Sequence, residues 1–90
     1  MPMNPSDASN PPLDKRDWIA GLEKGLSIIE TFDEANPRLT ATQAAERCGL
    51  TRTAARRYLL TLMHLGYVAS DGKLFWLTPR VMRLGQSYLE

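Results

Sequence analysis

The chain has 90 residues, enough for one small domain that hides about 60% of its unfolded surface, and its 43% hydrophobic content with two Trp, three Tyr and two Phe excludes wholesale disorder. A single cysteine, Cys48, excludes an internal disulfide, a single histidine, His64, excludes a structural zinc cluster, and no apolar run is long enough for a signal peptide or a membrane span, so the sequence reads as a soluble cytoplasmic protein without a cofactor. The net charge of +1 divides unevenly: up to Glu46 there are eight acidic and four basic residues, a net of −4, and from Arg47 onward seven basic and two acidic, a net of +5, so a polyanion would meet the second half.

Residues 1–17, MPMNPSDASNPPLDKRD, hold four of the six prolines with Ser, Asn and Asp, the composition of a flexible arm. From Trp18 the apolar residues Trp18, Leu22, Leu26, Ile29 and Phe32 recur at helical steps, which predicts a first helix. Gly21 and Gly25 each cost it about 1 kcal/mol relative to Ala, and their spacing suggests that another backbone approaches there. Asn36-Pro37 ends this helix, and Arg38-Leu39-Thr40 fits a single edge strand.

Thr40 or Thr42 can cap a short helix through QAAERC that stops at Gly49, and Leu50 plugs the turn. Thr51 then caps a longer helix from Arg52 to about Leu65, ended by Gly66. Two helices joined by one glycine turn have helix-turn-helix spacing. YVAS, Asp71-Gly72 and KLFWL follow as two strands joined by a type I′ hairpin turn, a wing. Thr78-Pro79 restarts a helix with Val81, Leu84, Gly85 and Tyr88 on one stripe. It reaches Glu90 without a stop signal, which predicts that the natural protein continues. Residues 18–78 thus form a mainly α fold with a small β hairpin, a winged helix-turn-helix, and residues 79–90 begin a linker helix.

GLTRTAARRYLLTL, Gly49 to Leu62, places three arginines within six positions and contains no acid. On a helix Ala55, Tyr58, Leu59, Leu62 and Leu65 share the inner face, while Thr53 and Arg57 point away and Arg56 lies on the flank. With Leu60 and Met63 the last two turns of the helix become apolar nearly all round, so the wing is expected to cover its C-terminal half. The N-terminal half suits a major groove about 12 Å wide: Thr53 and Ala54 allow close approach, Arg56 and Arg57 reach base edges, and Arg52 grips a phosphate. The start of the preceding helix, with Thr42 and Gln43, offers a second phosphate site, and Lys73 at the hairpin tip a wing contact.

A basic helix face is often only solvated, but a charge run alone requires neither the short preceding helix, nor the glycine turn, nor the basic-tipped hairpin. Cys48 packs on the helix-turn-helix seam as a small hydrophobe, and His64 has no metal or catalytic partner at helical spacing. Leu74 to Leu77 carry apolar groups on both faces of a strand, one for the core and one for the last helix or a partner. A winged helix used as a protein-interaction module, acting through Trp76 and the last helix, is the rival reading. With one His and one Cys, no catalytic constellation can be assembled.

From Trp18 to Tyr88 the chain resembles the N-terminal winged helix-turn-helix domain of IclR-family bacterial transcription regulators. GLEKGLSIIETF, LTATQAAERCGLTRTAARRYLLTLMHLGYV and FWLTPRVMRLG carry the resemblance, and GLTRTAARRYLLTL is most similar to the branch of protocatechuate and 4-hydroxybenzoate regulators. The resemblance implies a homodimer on double-stranded DNA bearing a palindromic operator, and a small aromatic-acid effector bound by a C-terminal domain beyond this chain. It places the motif at about Ala41 to Leu60 and sets Thr51, Arg52, Thr53, Ala54, Arg56 and Arg57 where the family meets DNA. Thr51 stands where many members have proline, and the Asp71-Gly72 turn is shorter than in many members.

Overall fold

The computed structural model describes residues 11–89; the first ten residues of the expected arm lie outside the described residues. Lys15–Asp17 wind into one 3-10 turn where the sequence suggested no structure, because Asp14 accepts the Arg16 N–H at 2.9 Å and pairs with its guanidinium at 2.9 Å. Helix α1 (Ala20–Thr31) starts two residues later than its apolar pattern, since Ile19 is extended and provides no side-chain cap. In the following loop the Asp33 carboxylate accepts the Asn36 N–H at 2.7 Å.

Strand β1 (Leu39–Thr40) leads directly into α2 (Ala41–Cys48). Thr40, not Thr42, is the cap: its hydroxyl accepts the Gln43 N–H at 3.1 Å while the Gln43 side chain accepts the Thr40 N–H at 2.8 Å. Gly49 stops α2 at a φ of +68°, and α3 (Arg52–Leu65) runs from its Thr51 cap to Gly66, where φ is +93°. Strands β2 (Val68–Ser70) and β3 (Leu74–Leu77) complete an antiparallel sheet of order β1-β3-β2, with Leu39 opposite Phe75 and Val68 opposite Leu77.

The wing turn is not of type I′, because Gly72 alone has a positive φ. Side chains replace that geometry. Asp71 accepts the N–H groups of Lys73 and Leu74 at 2.9 and 2.8 Å, while Ser70 donates to the Leu74 carbonyl and accepts the Gly72 N–H.

Ile28 of α1 and Phe32 just after it, Ala44 and Ala45 of α2, Ala55 and Leu59 of α3, and Val68 and Phe75 of the sheet build the core, with Leu39 and Ala41. The small alanines let α2 and α3 pack closely, and Leu50 and Cys48 close the seam between them, half-buried. The Cys48 thiol lies 2.9 Å from the Thr31 hydroxyl. Leu65, expected on the inner face, is half exposed at the capped C-terminal end of α3. The wing leaves Leu60 and Met63 partly exposed as well, so its cover of the C-terminal half of α3 is incomplete. No backbone crosses at Gly21 and Gly25; the neighbour is the Tyr58 ring, at ordinary van der Waals distance from where a Cβ would stand.

After β3, Thr78 ties the end of the wing to the end of α3, its hydroxyl donating to the Gly66 carbonyl at 2.6 Å and its N–H to the Tyr67 carbonyl at 2.9 Å. The helix expected from Pro79 is divided into a 3-10 segment, Pro79–Leu84, and a single turn, α4 (Gln86–Leu89), with Gly85 between them. Helical stability comes mostly from packing, and Met82, Leu84 and Tyr88 are exposed, so nothing offsets the break at Gly85.

Candidate nucleic-acid interface

The Thr51 hydroxyl accepts the Ala54 N–H at 3.1 Å and so fixes where α3 begins. Ala55 and Leu59, fully buried, then fix its rotation. With those two residues inward, Thr53 and Arg57 point to the opposite side at about 100° per residue, and Arg52, Thr53, Arg56 and Arg57 are all exposed while Ala54 is half-buried.

Two open clefts flank this face. On the wing side, the start of α2 (Thr40 to Thr42), Arg52 and Arg56 of α3, and Gly72 and Lys73 at the wing tip surround about 270 Å³. On the α1 side, Lys24, Ala54, Arg57, Tyr58 and Thr61 surround about 320 Å³. The expected site residues Thr42, Arg52, Arg56 and Lys73 therefore converge although they lie on three elements. Arg57 and Ala54 lie around the other edge of the helix. Gln43 is folded back into the capping box, and Thr51 serves the first turn of α3.

No acidic residue lines either cleft, and the one ion pair among the described residues, Arg16–Asp14, lies elsewhere. The arginines of α3 thus keep their full positive field toward solvent. The acid of the wing turn, Asp71, is held ionised below the usual carboxylate range, first by the Leu74 N–H, then by the Lys73 N–H, with a smaller contribution from the charge of Arg38.

Two contributors were not singled out in the sequence. Lys24 is the one basic residue of α1, and only the packing of α1 against Tyr58 brings it beside Arg57. Arg38 lies over the Trp76 ring at 4.2 Å, so the outer face of β3 is covered from the β1 side and adds a cation beside the wing. An Arg immediately before an edge strand was the available signal, but the pairing of β1 with β3 decides which ring it meets. Because Trp76 is half-buried in this way, it offers little to the rival protein-interaction reading.

Among the described residues no group of three His, Cys, Asp or Glu could hold a metal ion, and no helix is long and apolar enough to cross a membrane.

A short helix, a glycine turn, a second helix with a free basic N-terminal half, and a basic wing beside it define a winged helix-turn-helix DNA-binding domain. The IclR helix-turn-helix domain profile matches residues 21–72, and the chain belongs to the IclR family. It is 58% identical over 73 residues to the p-hydroxybenzoate hydroxylase transcriptional activator of Acinetobacter baylyi, covering 81% of this chain and 27% of that protein. It is 51% identical to the Pca operon regulatory protein of the same organism, covering 81% and 26%. Among solved structures, a transcriptional regulator of Rhodococcus sp. superposes with a TM-score of 0.77 at 54% identity, over 80% of this chain and 29% of that one. The chain spans about a quarter of the length of the curated relatives it matches.

Proposed function

We propose that residues 18–78 read a palindromic operator as a homodimer, and that residues 79–90 lead toward an effector domain that binds a small aromatic acid, in a cytoplasmic regulator of aromatic-compound catabolism genes. The observation that carries this reading is the N-terminal half of α3, exposed and free of acids between two basic clefts. An α-helix with its side chains is about 10–12 Å across and fills a major groove about 12 Å wide. Thr53, Ala54, Arg56 and Arg57 then face base edges, while Arg52, Lys73 and the start of α2, with Thr42 and Gln43, lie over phosphates.

The names of the two Acinetobacter regulators support aromatic catabolism as the controlled process. Support for a homodimer comes from α1 and the segment before it, where Leu13, Trp18, Ile19, Leu22 and Leu26 leave an apolar trough of about 260 Å³ open to solvent.

The test is selection of bound duplexes from a random-sequence pool at two salt concentrations. The expected product is an inverted repeat with half-sites about one helical turn, or a multiple of it, apart. Arg56→Ala should cost about 1–3 kcal/mol on that sequence and relax the preference at one position of each half-site. A pool without enrichment, bound with no dependence on salt, would refute DNA reading.

A further inference from the structure

Lys24 lies outside the helix-turn-helix motif, in the acidic half of the chain, yet it is half-buried beside the most basic helix. The Tyr58 ring sets this arrangement. Its hydroxyl would stand 3.6 Å from a Cβ at Gly21 and its Cδ1 4.0 Å from one at Gly25, so α3 is seated against the glycine edge of α1 and Lys24 shares a cleft with Arg57. Neither cation makes an ion pair with any described residue, and no acid lies among the cleft's other residues, Ala54, Tyr58 and Thr61. The Thr61 hydroxyl is committed to the Arg57 carbonyl at 2.8 Å, whereas the Tyr58 hydroxyl has no hydrogen-bond partner among the described residues. The cleft therefore offers two cations and one hydroxyl donor, and no competing anion. A cavity of 150 Å³ is enough for benzene, so about 320 Å³ admits a phosphodiester group.

We propose that Lys24 and Arg57 together hold one backbone phosphate of the DNA strand that borders the groove on the α1 side. This rests on the DNA-reading assignment of α3 and changes it at one residue: Arg57, placed above toward base edges, is given to the backbone instead. With a helix filling the groove, its two flanks must abut the two strands. The wing-side cleft, with Arg52, Arg56 and Lys73, meets one strand, and the Lys24–Arg57 cleft meets the other. The first helix thereby becomes part of the DNA-binding surface and fixes how deeply α3 can sink.

The experiment measures the affinity of the 90-residue chain for a duplex recovered by the selection and for a scrambled duplex of equal length, across a salt series, for the parent, Lys24→Gln, Lys24→Arg, Arg57→Gln and the double Gln variant. A thermal melt accompanies each variant. Lys24→Gln should weaken both duplexes by the same factor without changing base preference. It should also lower the slope of log affinity against log salt by about 0.9, so that the loss between 50 and 200 mM shrinks about 3- to 4-fold. Lys24→Arg, which keeps the charge, should retain the parent slope. The double variant should lose less than the product of the two single losses, because both cations serve one phosphate.

Parental slope and affinity in a folded Lys24→Gln protein would overturn the inference while leaving DNA reading intact. Multiplicative losses in the double variant would put the two cations on separate phosphates and overturn the shared site. If Lys24→Gln does not fold, a parental slope in folded Arg57→Gln has the same overturning effect. Absence of any salt-dependent binding by the parent would remove the DNA-reading assignment itself, and this site with it.

Discussion

Asp71 stands two residues from Lys73, at the place where a carboxylate would weaken the field of the wing. Its carboxylate, though exposed, is engaged within the turn as a structural acceptor: the Leu74 and Lys73 N–H groups bind it, and both hold its titration below the ordinary range. A carboxylate whose pKa is depressed by folding contributes stability that is complete above its unfolded value, near 3.9, and that is lost as pH falls through the lower folded value. The wing turn should therefore keep its order at neutral pH and loosen only below about pH 4. Hydrogen exchange of the Lys73 and Leu74 amides, read by NMR from pH 6 downward, should show protection lost in that acidic window, and Asp71→Asn should lose part of it at every pH. Protection that stays level through the window would assign the turn to Gly72 and Ser70 instead.

At the scale of elements, the boundaries that could be read from the sequence are those set by chemistry close along the chain. Thr51 and Gly66 mark α3 because a hydroxyl satisfies an orphan N–H and because a positive φ suits glycine, and neither depends on the rest of the fold. The wing turn departs from type I′ because Ser70 and Asp71 compete for the same amides as the backbone, which a dipeptide signal does not reveal. Lys24 and the Arg38–Trp76 stack could not be read at all, since each needs two elements to be placed first. The glycines of α1 are the informative middle case. Their cost was legible, but their neighbour is a ring at 4.0 Å from a Cβ at Gly25, which leaves room for a methyl. Gly25→Ala should raise stability by about 0.5–1 kcal/mol in thermal or urea unfolding, and Thr51→Ala should lower it by about 0.5–2 kcal/mol. A destabilised Gly25→Ala protein would show that α1 and α3 sit closer than the distance to Tyr58 indicates.

For the whole molecule, the two sides of α1 present opposite surfaces. Its Lys24 side turns toward α3 and the Arg57 cleft, whereas Leu22 and Leu26, with Leu13, Trp18 and Ile19 just before the helix, each at least 50% exposed, form one apolar face. A face of that kind on a small domain marks a contact site rather than a soluble surface. A second copy is the occupant that an inverted repeat requires, because a two-fold axis lets the same patch serve both subunits. Pairing also raises affinity without any new base contact, since the second half-site binds at the effective concentration set by the first. Leu22→Asp tests this cleanly: Leu22 is 60% exposed, so the fold should survive, while a buried charge at the centre of the joint should not be tolerated. Sedimentation should show the parent as a dimer and the variant as a monomer, and the variant should lose affinity for the inverted repeat while binding an isolated half-site as the parent does. A parent that sediments as a monomer and selects single half-sites, or a variant indistinguishable from it on the repeat, would take the apolar face of α1 out of DNA recognition.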